Sequence, residues 1–331
     1  MITSTLAAIA LLMPVQDAKP ISLERVFRKG EKAQYEVLSH LQVQSRQRGL
    51  DTWIPEDLDI NYKFNYEVTA LKADGIAEMR YFRPTMTEIA GETFDSPPKT
   101  KIEKVNMDLL LTVSPINEVI AMKDMTPPKK PAPVKPPASK TPPKKGGWAS
   151  AMGTEAAQIN IGSFVGELYR LSLFIGALDS AMDFSPRLPF EEVKPGDTWK
   201  RTVGYSPQRL KDKSGKSAVQ RLDYEYTYVG VVESNKQKVH RVTAVLKLDT
   251  DAAEFVNQLL EMKPEQSGLK EIRLQLDAKI EYDLDLATKR TLRAIANSTG
   301  GMKVIVTRFP DDPIAEEKIV GRTSMRLLSL K

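Results

Sequence analysis

Residues Leu58–Ala70 read LDINYKFNYEVTA. Leu58, Ile60, Tyr62, Phe64, Tyr66, Val68 and Ala70 fall on every second position, so an extended chain puts all of them on one face. That pattern is a long, half-buried strand. The turn Ala73-Asp74-Gly75 follows it and leads into a second alternating run, Ile76–Ile89; Asp-Gly between two such runs signals a hairpin. Upstream, Ala33–Gln44 alternates in the same way, with Tyr35, Val37, Leu41 and Val43 opposite Gln34, Glu36, His40, Gln42 and Gln44. Shorter strands are expected at Ile102–Val105, Leu109–Val113 and Glu118–Met122, with a turn at Ser114–Asn117.

This β-patterned half ends in a different kind of sequence. Thr126–Gly147, TPPKKPAPVKPPASKTPPKKGG, holds eight prolines, six lysines and no acid. The whole chain has 48 Lys and Arg against 43 Asp and Glu; without those six lysines the balance is 42 against 43. The basicity therefore belongs to one tract and not to a nucleic-acid-binding surface. The tract lacks apolar residues to offset the entropy of ordering, and it is expected to be an extended spacer. Its lysines suit contact with an envelope protein or an anionic wall polymer.

Beyond the tract, Ile161, Phe164, Val165, Leu168, Leu171, Phe174, Ile175 and Leu178 recur at steps of three and four. They form one apolar stripe of a long helix, and Glu167 and Arg170 interrupt it as a transmembrane span. The stripe fits a helix that lines an apolar cavity, with Phe164, Leu168, Leu171, Phe174, Ile175 and Leu178 as the binding face. It also fits a core helix laid on a sheet. Strands then resume at Thr198–Tyr205, Val219–Glu233, Lys238–Asp249, Leu269–Ala287, Lys289–Asn297, Lys303–Phe309 and Ile319–Leu328. Ala252–Met262 reads as a short helix stopped by Pro264, and Asn297–Gly301 reads as a turn.

The two halves open alike. Phe27-Arg28-Lys29-Gly30-Glu31 resembles Val193-Lys194-Pro195-Gly196-Asp197, and an aromatic strand follows each, Tyr62–Tyr66 in one and Tyr224–Tyr228 in the other. The likeness reads either as a duplicated three-strand meander or as a common way of entering a strand.

Leu6–Met13 is an unbroken apolar run of the length of a signal-peptide core and too short to span a bilayer. Residues 1–18 are therefore expected to be an export signal, 19–125 a first β half, 126–147 the spacer, and 148–331 the helix with the second β half. Cysteine is absent, which removes disulfides, thiolate metal sites and a catalytic thiol. The chain is expected in the periplasm or outside the cell.

Catalytic patterns are poor. Ser214-Gly215-Lys216-Ser217 carries the end of a phosphate loop, but Leu210 stands where the loop needs glycine. The pairs Asp57/Asp59 and Asp283/Asp285 share strand faces, as a cation site or glycosidase pair would require, and such faces are usually just solvated. His40 and His240 are the two histidines, and neither has an ordered nucleophile–base–acid set beside it in sequence. No enzyme, cofactor or metal is expected.

The phrases LERVFRKGEKAQY (Leu23–Tyr35) and Leu188–Trp199, LPFEEVKPGDTW, together with the strand ending at Val68 and the Asp74-Gly75 turn, resemble an uncharacterised family of exported bacterial β-rich proteins. More distantly, long curved strands with one helix against them are similar to the half-barrels of periplasmic lipoprotein carriers. The resemblance implies an apolar ligand concavity. The expected fold is mainly β with some helix: long curved antiparallel sheets, half-barrel-like, with one apolar helix packed on the concave side. The expected function is a non-enzymatic exported carrier for a lipid or lipoprotein-like ligand. The alternative is a structural or protein-interaction module of the cell envelope with a filled core.

Overall fold

A computed structural model describes residues 19–91, 98–127, 185–205, 220–259 and 263–331. The export run, the spacer beyond Pro127, the Ile161–Leu178 helix and the Ser214–Ser217 motif lie outside the described residues.

The described strands form one antiparallel sheet of eleven. The first five are β1 (Lys32–Gln47), β2 (Ile54–Leu71), β3 (Ala77–Ala90), β4 (Lys99–Val113) and β5 (Val119–Asp124). The others are β6 (Thr198–Tyr205), β7 (Gln220–Ser234), β8 (Gln237–Asp251), β9 (Leu269–Leu284), β10 (Thr291–Val306) and β11 (Ala315–Leu330). Their order is β5-β4-β3-β2-β1-β11-β10-β9-β8-β7-β6. The chain thus starts at the centre, winds outward to one edge, crosses to the other edge and winds back. β1 and β11 close the centre, and the backbones of Lys32 and Lys331 bond each other in both directions at 2.9 Å. Between β8 and β9 lie two short helices, α1 (Ala253–Leu259) and α2 (Pro264–Ser267).

The expected elements hold with three corrections. Pro264 does not simply stop a helix: it opens α2, where a missing N–H costs nothing. Asn297–Gly301 is not a turn but the middle of β10, paired to both neighbours. The glycines there serve close approach: a Cβ on Gly300 would lie 2.4 Å from the Gln275 carbonyl, and one on Gly301 2.5 Å from that of Glu317. Ile102–Val105 and Leu109–Val113 likewise belong to one strand, β4, which runs through Asn106 at a φ of +46°.

The sheet is rolled. In a flat sheet β5 and β6 would stand about 48 Å apart, ten strand spacings of ~4.8 Å. Here residues 186–188 touch both edges. The Pro186 carbonyl accepts from Asn117 Nδ2 (3.0 Å) and the Leu188 N–H donates to Ile116 O (2.9 Å) in the β4–β5 turn. On the other side, Trp199 Nε1 of β6 donates to the Arg187 carbonyl (2.6 Å). The edges therefore converge at this end. The segment Ile21–Phe27 crosses the same end, with Ile21 bridged to Val193, Arg25 N bonded to Pro115 O and Val26 N bonded to Thr288 O. Leu23, Phe27, Ile116, Leu188 and Val193 are buried there and seal it. At the opposite end α1 sets Val256 among Leu269, Ile272, Met302, Val304 and Ile314 in a second small core.

The duplicated reading is seen in backbone detail. Gly30 (φ +83°) and Gly196 (φ +96°) occupy matching turns, closed by Glu31 N to Arg28 O and by Asp197 N to Lys194 O. Gly30 N bonds Val68 O while Val68 N bonds Glu31 O, and Gly196 N bonds Tyr228 O while Tyr228 N bonds Asp197 O. The registers Ala33↔Tyr66, Tyr35↔Phe64 and Val37↔Tyr62 repeat as Trp199↔Tyr226, Arg201↔Tyr224 and Val203↔Leu222. An irregularity follows Val68 in one copy and Tyr228 in the other. β1–β3 and β6–β8 are one three-strand unit used twice.

Candidate functional site: the inward face of the rolled sheet

The alternation that built the strands also builds the inward face. On one flank Tyr35, Tyr62, Phe64, Tyr66 and Tyr81 point inward and are buried. Their rings are layered, with Tyr35 on Phe64 (5.1 Å), Tyr35 on Tyr66 (5.7 Å) and Phe64 on Tyr81 (5.1 Å). On the other flank Trp199 stacks on Tyr226 (5.5 Å) and Tyr226 on Tyr224 (5.8 Å), with Tyr228 beside them. Between the flanks small inward residues (Ala244, Ala278, Ala294, Ala296, Ser298, Gly300, Gly321, Thr323 and Ser39) are interspersed with larger buried ones, among them Leu41, Leu246, Ile280, Ile319 and Met325. Ser39 and Thr323 share a hydrogen bond of 2.8 Å. The result is a concave inward face, a trough, with an aromatic wall on each flank and a floor that mixes small with large aliphatic side chains. Each wall comes from one copy of the repeated unit.

Near the sealed end the trough carries a buried charge cluster. Glu31 accepts from Arg290 Nε (3.0 Å) and Nη2 (2.6 Å), a bidentate pair in which both side chains are almost wholly buried. The Tyr66 hydroxyl donates to Glu31 Oε1 (3.0 Å) and accepts from Arg25 Nη2 (2.7 Å). Arg25 also lies over the rings of Phe27 and Tyr66. Burial holds the phenols of Tyr35 and Tyr66 above the ordinary tyrosine range, so both stay protonated and act as donors; Tyr35 donates to the Thr291 carbonyl at 2.8 Å. The cluster ties β1, β2 and the β9–β10 turn to the sealing segment. It is structural cement at the base of the trough.

His240 faces inward on β8, with Nδ1 2.9 Å from the Tyr228 hydroxyl. Burial first, then the Lys289 ammonium, holds its ring below the ordinary histidine range. A neutral ring with Nδ1 unprotonated accepts a hydrogen bond from the Tyr228 hydroxyl, which burial keeps protonated. His40, by contrast, points outward on β1 and bonds Asp59 (2.8 Å). The two histidines thus stand on opposite faces and do not combine.

The acid pairs also separate. Asp283 is buried and held by Arg241 Nε (2.9 Å), Arg293 Nε (2.9 Å) and Ser234 (2.7 Å). Burial raises its pKa, but the bonds from Arg241 and Ser234 and the two guanidinium charges outweigh that and leave it lowered. Asp285 instead caps the β9–β10 turn through Thr288 and Ala287. Asp57 is exposed, and Asp59 is engaged by His40. Among the described residues no group of three or more His, Asp or Glu is placed to hold a metal ion, and no helix is long and apolar enough to cross a membrane.

The expected binding face, Phe164, Leu168, Leu171, Phe174, Ile175 and Leu178, lies outside the described residues. The trough aromatics were legible in the sequence as strand alternation, but not as two facing walls. That arrangement needs the topology, which brings β2 and β7 to opposite flanks of one sheet.

No family model matches this sequence, and no curated protein matches it. Solved structures offer only distant likenesses. A lipovitellin structure described by its lipid–protein interactions aligns at 8% identity and a TM-score of 0.40, over 92% of this chain and 26% of its own. The chain thus spans about a quarter of lipovitellin's length. DynF, from the dynemicin biosynthesis pathway of Micromonospora chersina, aligns at 8% identity and a TM-score of 0.22, over 94% and 85% of the two chains. A protein of Bacteroides fragilis described as exported and YmcC-like in fold aligns at 6% identity and a TM-score of 0.14, over 94% of this chain and all of its own. At such scores none of these bears on function.

Proposed function

We propose that the protein is an exported, non-enzymatic carrier that holds an apolar or amphipathic ligand, such as a lipid or lipoprotein-like acyl chain, along the trough. The observation that carries this reading is the pairing of two stacked aromatic walls on opposite flanks of an apolar floor, in which small residues and buried aliphatic ones are mixed, in a sheet sealed at one end. The floor is apolar, and aromatic faces give apolar contact with little loss of rotamer freedom. The lysine-rich tract would serve contact with an envelope protein or anionic polymer near that function.

A second reading, a structural or interaction module with a filled core, is favoured by the depth of burial of the inward side chains, with Leu41 and Leu246 fully buried. Native mass spectrometry of the protein purified from its own host separates the two. Co-purifying lipid of defined mass supports the carrier; a clean apo mass that stays unchanged on incubation with fatty acid or phospholipid supports the module.

A further inference from the structure

The outward face of the sheet is not uniformly convex. A groove of about 490 Å³ crosses β8, β9, β10, β11 and β1, and a second hollow of about 690 Å³ continues it, sharing Lys247, Asp277 and Thr299. Gly301 faces outward there and leaves backbone bare. Two cross-strand rows line the groove. One runs Lys247, Asp277, Thr299, Val320, Gln42, and the next runs Val245, Lys279, Asn297, Arg322, His40.

The charges in this groove differ from those around it. On β1 and β8–β11, Arg46, Arg241, Arg273, Arg293 and Arg326 each have a carboxylate partner. Arg322 has none among the described residues, and neither has Lys247 or Lys279. Three unpaired cations therefore face one concavity against a single acid, Asp277, since His40 is engaged by Asp59. Asn297 and Thr299 line it too, and both are exposed.

We infer that this groove is a binding site for a multivalent phosphate. Arg322 offers a planar fork for two phosphate oxygens, Lys247 and Lys279 supply point charges from neighbouring strands, and Asn297 and Thr299 supply neutral donors. The site is separate from the trough, because its charged side chains project from the other face of the same strands.

Calorimetric titration of the full chain with sodium tripolyphosphate at low salt tests it. The expected result is saturable one-site binding, weakened roughly tenfold or more by Arg322→Ala and by the Lys247→Ala/Lys279→Ala double variant. Lys238→Ala, on β8 outside the groove, should leave it unchanged. Circular dichroism of each variant confirms that these exposed positions do not unfold the sheet. Sedimentation with phosphatidylcholine vesicles, with and without phosphatidic acid, then distinguishes the source of the phosphate. Pelleting lost in the same variants assigns a lipid headgroup; tripolyphosphate binding without vesicle binding assigns a soluble ligand. No saturable binding, or equal weakening by Lys238→Ala, overturns the site. Neither outcome alters what native mass spectrometry reports for the trough.

Discussion

The unit β1–β3 sits at the centre of the sheet and the unit β6–β8 at its edge, with the same turn, the same register and the same irregularity after the second strand. Their differences therefore come from position rather than local code. Glu31 and Asp197 occupy equivalent places after the turn glycine. At the centre Glu31 is buried and locked to Arg290 from the β9–β10 turn. At the edge Asp197 is exposed and caps its own turn, accepting from Lys194 N at 2.7 Å. The turn needs only a short acid-bearing phrase; the fold then recruits the central copy into a tertiary lock and leaves the edge copy local.

The largest expected effect breaks that asymmetry directly. Glu31→Ala leaves Arg290 buried without its partner and should cost about 3–5 kcal/mol of stability. Asp197→Ala loses one exposed capping bond, about 1 kcal/mol or less. Urea denaturation of the two variants measures both, and equal losses would mean that the central lock is not a tertiary device. The turn glycines should behave oppositely and match each other. A Cβ at Gly30 or at Gly196 meets nothing within 4 Å, so Ala at either pays only for the left-handed backbone, about 1–2 kcal/mol. Unequal midpoints for these two variants would argue against duplicated turns.

A smaller effect sharpens the comparison by pH. Where the edge unit carries His240, the matching residue of the central unit is Ala77. The folded-state pKa of His240 is lowered, by burial first and then by Lys289. As pH falls, the unfolded chain takes up this proton before the folded one does. Stability from this group is whole above about pH 6.5 and declines as pH falls below it. The drop in melting temperature between pH 7.5 and 5.5 should therefore be smaller in His240→Ala than in the parent chain. The smallest effect concerns the tract between the units. Replacing residues 128–145 by a Gly-Ser bridge of equal length should shift the melting temperature little, since its composition offers few groups to bury; a fall of many degrees would show that it packs.

The strands were legible because alternation states both the period and the buried face, and Leu58–Ala70 is a clear case within β2. The Gly30 and Gly196 phrases were legible as turns, since left-handed φ leaves its mark as glycine. Asn297–Gly301 misled for the same reason: glycine also marks places where backbones crowd, and only the pairing of β10 with β9 and β11 separates the two uses. Aromatic spacing suggested aligning Tyr62 with Tyr224, whereas the ladders align Phe64 with it, because bonds to the turn residues set the register. The walls of the trough and the unpaired cations of the outer groove were not legible at all. Both depend on neighbours far apart in sequence, such as Trp199 beside the segment that meets Asn117 from the opposite edge, or Lys279 near Arg322 near His40.

The carrier function is tested most directly at Trp199, stacked on Tyr226 in one wall. With Trp53 and Trp148 replaced by Phe, Trp199 is the sole indole, and bromine quenches indole fluorescence only at near contact. Titration with a bromine-substituted fatty acid should quench it saturably, with unbrominated fatty acid competing and Tyr226→Ala weakening the effect. Fluorescence that stays constant through the titration, in protein whose circular dichroism remains that of the folded sheet, would contradict a ligand between the walls.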